Sequence, residues 1–356
     1  MTGHTGFKGG WLCLWLKSMG AHVTGYSLAP PTEPNLFSLC NVSNGIKSLI
    51  GDIRDFENLN KIFKSASPEI VIHLAAQPLV RYSYTHPIET FETNIMGTVH
   101  ILEAVRLSES VRSVVIVTSD KCYENKEWDW GYREIDPMGG FDPYSSSKGA
   151  AEIVTSAYRR SFFSTNSSDY KNCLIASARA GNVIGGGDWS SDRLIPDFIR
   201  AATTNTLMTV RNPEAVRPWQ HVLEPIRGYL DLAQALYMRS SWSSSAWNFG
   251  PKDSDAKPVK WILGKLSKLW PDPVSLRFHH EDQSLHEAKY LKLDISRARN
   301  YLGWKPVLTL DTTIEWIIEW YYAWSQNKDM QRLTINQIER YLKIIEKESI
   351  LERVNA

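Results

Sequence analysis

The chain of 356 residues carries 40 Lys and Arg against 39 Asp and Glu, and 43% of it is hydrophobic. That length can bury a large core, and the charge balance disfavours nucleic acid or another polyanion as partner. The four cysteines, Cys13, Cys40, Cys122 and Cys173, have neither metal-ligand spacing nor the density of a disulfide framework, which fits a reducing cytoplasm; no run of about 18 apolar residues offers a membrane span.

The first motif is Gly3-His-Thr-Gly6-Phe-Lys-Gly9. Glycines at this spacing leave a parallel strand, turn tightly, admit a pyrophosphate close to the backbone and open a helix whose first amides receive it. Alone, the heptad also fits an ordinary glycine-rich turn. No strand-length segment precedes it. The expectation is therefore a dinucleotide-binding sheet lacking its first strand, with a central position lost and the turn weakened. Residues 9–19 then read as helix and Ala21-His-Val-Thr-Gly-Tyr26 as a short buried strand. Lys47-Ser-Leu-Ile50 runs into Gly51-Asp52, Glu69-Ile-Val-Ile-His-Leu74 into Ala75-Ala76, Ser113-Val-Val-Ile-Val-Thr118 into Ser119-Asp120, and Cys173-Leu-Ile-Ala-Ser-Ala178 into Gly181-Asn182. Such runs, separated by helix-length segments, predict a doubly wound α/β fold with a parallel sheet. Ligands of these sheets bind beyond the carboxyl ends of the strands, where the polar clusters fall.

From about residue 185 the pattern shortens around Gly185-Gly-Gly-Asp-Trp189, Arg217-Pro-Trp-Gln-His221 and a Ser-rich turn at 240–245. The division expected is a dinucleotide-binding domain at 1–180, a smaller discontinuous substrate lobe at 181–325 that partly returns to the first domain, and a helical tail at 326–356. Ile314-Glu-Trp-Ile-Ile-Glu-Trp-Tyr-Tyr-Ala-Trp324 is an amphipathic helix suited to packing, as is the charged segment 329–354.

Tyr144-Ser-Ser-Ser-Lys148 follows Asp142-Pro143. Asp caps helices and Pro favours the first helical position, so Tyr144 falls in the first turn with Lys148 one turn later on the same face. An ammonium beside a phenol favours the phenolate and lowers its pKa, which makes a base for a sugar hydroxyl. A lone Tyr-x-x-x-Lys pair is commonly a surface coincidence. Here a strand ending in Ser119-Asp120-Lys121 accompanies it. Hydroxyl, carboxylate and ammonium in succession at a buried strand end are costly without partners, which argues for a site over a strand-terminal ion pair.

With these residues, the chain resembles the extended short-chain dehydrogenase/reductase family from residue 1 to about 325. The resemblance rests on the opening glycine turn, Gly51-Asp-Ile-Arg-Asp55, His73-Leu-Ala-Ala-Gln-Pro-Leu-Val-Arg81, Thr93-Asn-Ile-Met-Gly97, Thr118-Ser-Asp-Lys-Cys-Tyr123 and the Tyr144/Lys148 pair. It extends through Arg179-Ala-Gly-Asn-Val-Ile-Gly-Gly-Gly-Asp-Trp189, Arg217-Pro-Trp-Gln-His221 and His286-Glu-Ala-Lys-Tyr290. Relatives acting on dTDP-glucose typically carry Asp-Glu where this chain has Asp120-Lys121; the lysine resembles the branch acting on CDP-glucose.

The resemblance implies a lyase that forms a 4-keto-6-deoxy sugar nucleotide by internal redox through tightly held NAD. Tyr144, helped by Lys148 and Ser119, takes the 4-hydroxyl proton while hydride leaves carbon 4. Asp120 protonates the departing 6-hydroxyl, Lys121 or a group it orients handles the carbon-5 proton, and hydride returns to carbon 6. Gly3, Gly6, Phe7 and Gly9 are assigned to the pyrophosphate and Asp52 and Ile53 to the adenine. Leu74, Ala75, Ala76, Asn94 and Thr118, with Tyr144 and Lys148, complete the cofactor contacts. The strand ending Gly25-Tyr-Ser27 lacks the acid that reads the adenosine 2′-hydroxyl, and no Arg or Lys there invites a 2′-phosphate, so NAD of modest affinity is favoured over NADP.

Asn182, Asp188, Arg193, Arg211, Arg217 and His221 are assigned to the substrate, with Arg suited to a diphosphate; each also fits a structural salt bridge. Trp189 and Trp219, among 14 Trp, fit core packing better than base stacking. Of nine histidines none has metal-ligand spacing; His73 reads as a core residue and His279-His280 as a surface pair. A sugar-nucleotide 4-epimerase would share the Tyr/Lys pair but needs no acid at the 6-hydroxyl. An NAD-binding protein without catalysis is the second alternative. The resemblance also implies a cytoplasmic homodimer, joined through residues 97–107 and the helix after Tyr144.

Overall fold

A computed structural model describes residues 1–163, 173–240, 242–279 and 290–355. His280 and residues 286–289 of the His286-to-Tyr290 motif lie outside them. The main sheet holds β1 (Thr24–Ser27), β2 (Lys47–Ile50), β3 (Ile70–His73), β4 (Ser113–Val117), β5 (Leu174–Arg179) and β6 (Ala246–Asn248). β1 pairs with β2, and β3, β4, β5 and β6 pair in that order, all in parallel.

Residues 1–3 join the two parts. Thr2 bridges in parallel to both Tyr26 and His73. Its N–H donates to Ile72 O at 3.1 Å, while the N–H of Gly3 donates to Tyr26 O at 3.0 Å and that of Tyr26 to Met1 O at 3.0 Å. The central position expected to be lost is thus filled. The glycine turn must begin at the carboxyl end of that position, and the three residues leading into it suffice to pair the flanking backbone groups.

Helices α1 (Phe7–Ser18), α2 (Phe56–Ala66), α3 (Gly97–Leu107), α4 (Pro143–Ser161), α5 (Leu223–Tyr237), α6 (Leu310–Ser325) and α7 (Met330–Asn355) pack on the sheet or on one another. The strands alternate: Val114, Ile116 and Ile175 face a core shared with α2 and α3. Val115, Val117, Ala176 and Ala178 face a larger core with α1, α5 and α6. As the Asp-Pro pair predicts, Asp142 caps α4 by accepting from Ser145 N–H at 2.9 Å, with Pro143 at its start. α6 clamps the loop at 185–189: Tyr321 Oη donates to Asp188 O at 2.6 Å, and Trp11 of α1 donates to Gly186 O at 2.9 Å. A Cβ at Gly186 would run into the Trp320 indole. β6 brings the later part of the chain back to the main sheet beside β5. Among the described residues no helix is long and apolar enough to cross a membrane, and no group of His, Cys, Asp and Glu is arranged to hold a metal.

Candidate active site

The glycine turn comes first along the strand ends. Gly3 has φ +75°, and a Cβ there would stand 2.7 Å from Ala75 N, so only glycine lets the turn lie against the end of β3. A Cβ at Gly9 would strike the Gly3 carbonyl. Gly6 caps α1 without a side chain, so no capping side chain takes up the first amides of α1. This cradle fits a pyrophosphate, which a helix N-terminus favours through its amides and dipole. Further along, Asp52 is paired with Arg54 at 2.6 Å, and that hydrogen bonding holds its carboxyl below the usual range. Ile53 is buried against α3, its carbonyl 2.9 Å from His100 Nδ1.

Two assigned cofactor residues are occupied elsewhere. Asn94 accepts from Gln77 N–H at 2.8 Å and donates to Ser147 Oγ at 2.8 Å, so it braces the loop after Ala75-Ala76. Thr118 Oγ1 donates to Glu152 of α4 at 2.5 Å.

Beyond the turn lies a cavity of about 390 Å³ lined by Ser119, Asp120, Lys121 and Tyr144. Asp120 is buried at 2% exposure; its Oδ1 accepts from Ser119 Oγ at 3.0 Å, and its Oδ2 has no partner in the protein. Lys148 lies outside the lining, with Nζ 6.0 Å from the centre of the Tyr144 ring. Burial pushes the Lys148 ammonium down to about 8, against the opposing pull of Cys122 and Glu152. Burial also pushes the Tyr144 phenol up to about 12, with the Ser119 hydroxyl opposing it. The expected lowering of the phenol by Lys148 is not seen: the opposing influences are the Ser119 hydroxyl and the Arg193 charge, and desolvation of a phenolate at this depth outweighs them.

Of the substrate assignments, Asn182, Asp188, Arg193, Arg211 and Arg217 line the same cavity. Arg193 pairs with Asp188 at 2.8 Å and Arg211 with Asp192 at 3.2 Å. His221 does not line it. Its ring is fully buried edge-to-face against Trp11 and Trp316, and burial drives its pKa down to about 3, so its placement is corrected to the core. Trp189 is likewise packed against Tyr321 and Trp324, whereas Trp219 reaches the cavity. His73 is a core residue as expected, its Nδ1 2.7 Å from Thr2 Oγ1.

The sequence reading missed Lys8, which lines the cavity from the middle of the glycine motif. Burial, with Arg193 and Lys148 nearby, pushes its ammonium down to about 8. Its place one residue after Phe7, in the first turn of a helix aimed at the ligand edge, was the available signal. Also missed was Glu152, one turn beyond Lys148. It accepts from Thr118, Ser177 and Arg179, the last at 2.8 Å.

Residues 1–317 match the GDP-mannose 4,6 dehydratase family. The chain is 53% identical over 342 residues to CDP-glucose 4,6-dehydratase of Salmonella typhimurium, covering 96% of this chain and 95% of that protein. Its fold resembles UDP-glucose 4-epimerase of Thermotoga maritima solved with UDP-glucose (TM-score 0.76, 19% identity, 91% of this chain and 98% of that one). It also resembles dTDP-glucose 4,6-dehydratase of Bacillus anthracis solved with NAD (TM-score 0.74, 19% identity, 90% and 95% covered).

Proposed function

Because the chain belongs to the GDP-mannose 4,6 dehydratase family, we propose that it converts CDP-D-glucose to CDP-4-dehydro-6-deoxy-D-glucose and water, with NAD retained throughout. The observation that carries this reading is a buried carboxylate, Asp120, with one oxygen unpartnered, lining the same cavity as Tyr144. A buried acid with a free oxygen is what an elimination needs and an epimerisation does not.

Gly3, Gly6, Phe7 and Gly9 would hold the NAD pyrophosphate, and NAD supplies, when bound, the two-electron acceptor for carbon 4 and donor for carbon 6. The protein's own part is proton handling. Tyr144, once ionised, accepts the 4-hydroxyl proton; the Ser119 hydroxyl and the Arg193 charge favour that phenolate against burial, and Lys148 lies behind it. In the elimination the carbon-5 proton leaves toward Lys121, its bonding pair becomes the C5–C6 double bond, and the C6–O bond breaks. Asp120, protonated at the outset, gives the departing oxygen its proton, so water leaves; as carbon 6 takes hydride, Lys121 returns the proton to carbon 5, and the proton taken by Tyr144 makes up the one Asp120 lost. Arg193, Arg211 and Arg217 supply the positive charge that a nucleoside diphosphate requires. Exposed Ile88, Phe91, Met96 and Ile153, near α3 and on α4, support a homodimer through these helices. All four cysteines are buried and none is joined in a disulfide, in keeping with the cytoplasm.

Incubation with NAD and CDP-glucose, dTDP-glucose or UDP-glucose, followed by the alkaline absorbance of the keto sugar, tests the reading. Product from CDP-glucose is expected; absence of product from all three would sink it. β1 ends at Ser27, whose hydroxyl shares a 2.7 Å hydrogen bond with Thr5, and offers no cation to a 2′-phosphate. NAD is accordingly expected to bind more tightly than NADP by calorimetry.

A further inference from the structure

We infer that Gly181 is a positioning residue for the Asp120 carboxylate, present because no side chain can share that space; the inference rests on the acid role proposed for Asp120. Gly181 follows β5 and Asp120 follows the neighbouring β4, so the two meet at the carboxyl edge of adjacent strands. A Cβ at position 181 would fall within the carboxylate, its three nearest atoms being Oδ2, Cγ and Oδ1 of Asp120. The φ of Gly181 lies outside the left-handed region. The need for glycine is therefore spatial and not conformational.

The backbone at 181 has little freedom to retreat. Gln220, itself buried, donates from Nε2 to Gly181 O at 3.1 Å and to Phe249 O at 2.9 Å, and its N–H donates to Asn182 O at 3.2 Å. The short strand Val183–Ile184 then pairs with Gln220–His221. On the other side, Ser119 Oγ holds Asp120 Oδ1, while Oδ2 is buried without a hydrogen-bond partner and is the atom nearest the space a Cβ at 181 would take. A methyl group at 181 would have to be relieved by rotating the carboxylate, the movable end of a side chain. Gly181→Ala should keep the fold and misdirect the acid.

The test is Gly181→Ala, Asp120→Asn and their double variant, assayed with CDP-glucose beside the unaltered protein. Turnover of Gly181→Ala is expected to fall about 100-fold, the scale of a lost general acid. Reduced nicotinamide should build up during a single turnover, because the first half of the reaction does not use Asp120. The double variant should turn over no more slowly than Asp120→Asn, since both changes act on one carboxylate. Unchanged turnover in Gly181→Ala, equal loss of nicotinamide reduction and turnover, or additive losses would each overturn the inference. If Gly181→Ala fails to fold, Asp120→Ala/Gly181→Ala should melt where Asp120→Ala does, the clashing atoms being gone; failure of that pair to fold overturns the inference as well. An inactive unaltered protein that folds and binds NAD would instead defeat the proposed function.

Discussion

Two carboxylates, Asp120 and Glu152, are buried at 2% and 4% exposure. Both oxygens of Glu152 are engaged, by Thr118 on one side and by Ser177 and Arg179 on the other. Arg179 in turn donates to Tyr123 Oη at 2.6 Å, and Tyr123 Oη donates to Asn248 at 2.7 Å. That network ties β4, β5, β6 and α4 together behind the cavity. Asp120 has one oxygen held and one free. A buried carboxylate with its oxygens engaged fixes a scaffold, whereas one left with an unpartnered oxygen beside a cavity is the kind of group that the proposed acid role requires.

The most disruptive way to probe this contrast is Glu152→Ala, which strands the Arg179 guanidinium. Denaturant titration should show a loss of about 3–5 kcal/mol, the range for a broken buried pair. Asp120→Asn should do the reverse, leaving the unfolding midpoint in place while product formation falls about 100-fold. A large loss of stability there would erase the distinction between the two carboxylates.

The comparison extends to buried histidines. Burial holds His73 and His221 at about 3, well below the value near 6.5 of an unfolded chain. The unfolded state therefore binds protons first as pH falls. Their contribution to stability is complete above pH ~6.5 and is lost progressively toward pH ~3. His221→Phe, which keeps a ring between Trp11 and Trp316, should make the acid slope of unfolding free energy shallower; an unaltered slope would mean that His221 stays charged or exposed. The smallest effect is expected at Asp52 and Arg54, a half-exposed pair. Arg54→Ala should cost less than about 1 kcal/mol in thermal or chemical unfolding, as surface pairs do.

Much of the architecture was legible along the chain. Short β-rich runs with helix-length spacers marked the parallel strands, Asp142-Pro143 marked the start of α4, and the glycine heptad marked the turn into α1. That Ser119-Asp120-Lys121 and Tyr144 meet at one cavity was readable because each sits at a strand end or a helix start, and local backbone chemistry decides those places. His221 misled because its polarity is a property of the residue, while its burial depends on Trp11 and Trp316 from distant parts of the chain.

By itself, then, the sequence determined the kind of sheet, the glycine cradle and the residue types gathered at its carboxyl edge, because these follow from short-range periodicity and capping. Only the tertiary structure decided that residues 1–3 complete the sheet, that Thr118 turns to Glu152 and Lys8 to the cavity, and that Gly181 stands against Asp120. Each of those outcomes depends on which groups meet across strands and helices and on how much water they lose there, and neither quantity is carried by local spacing.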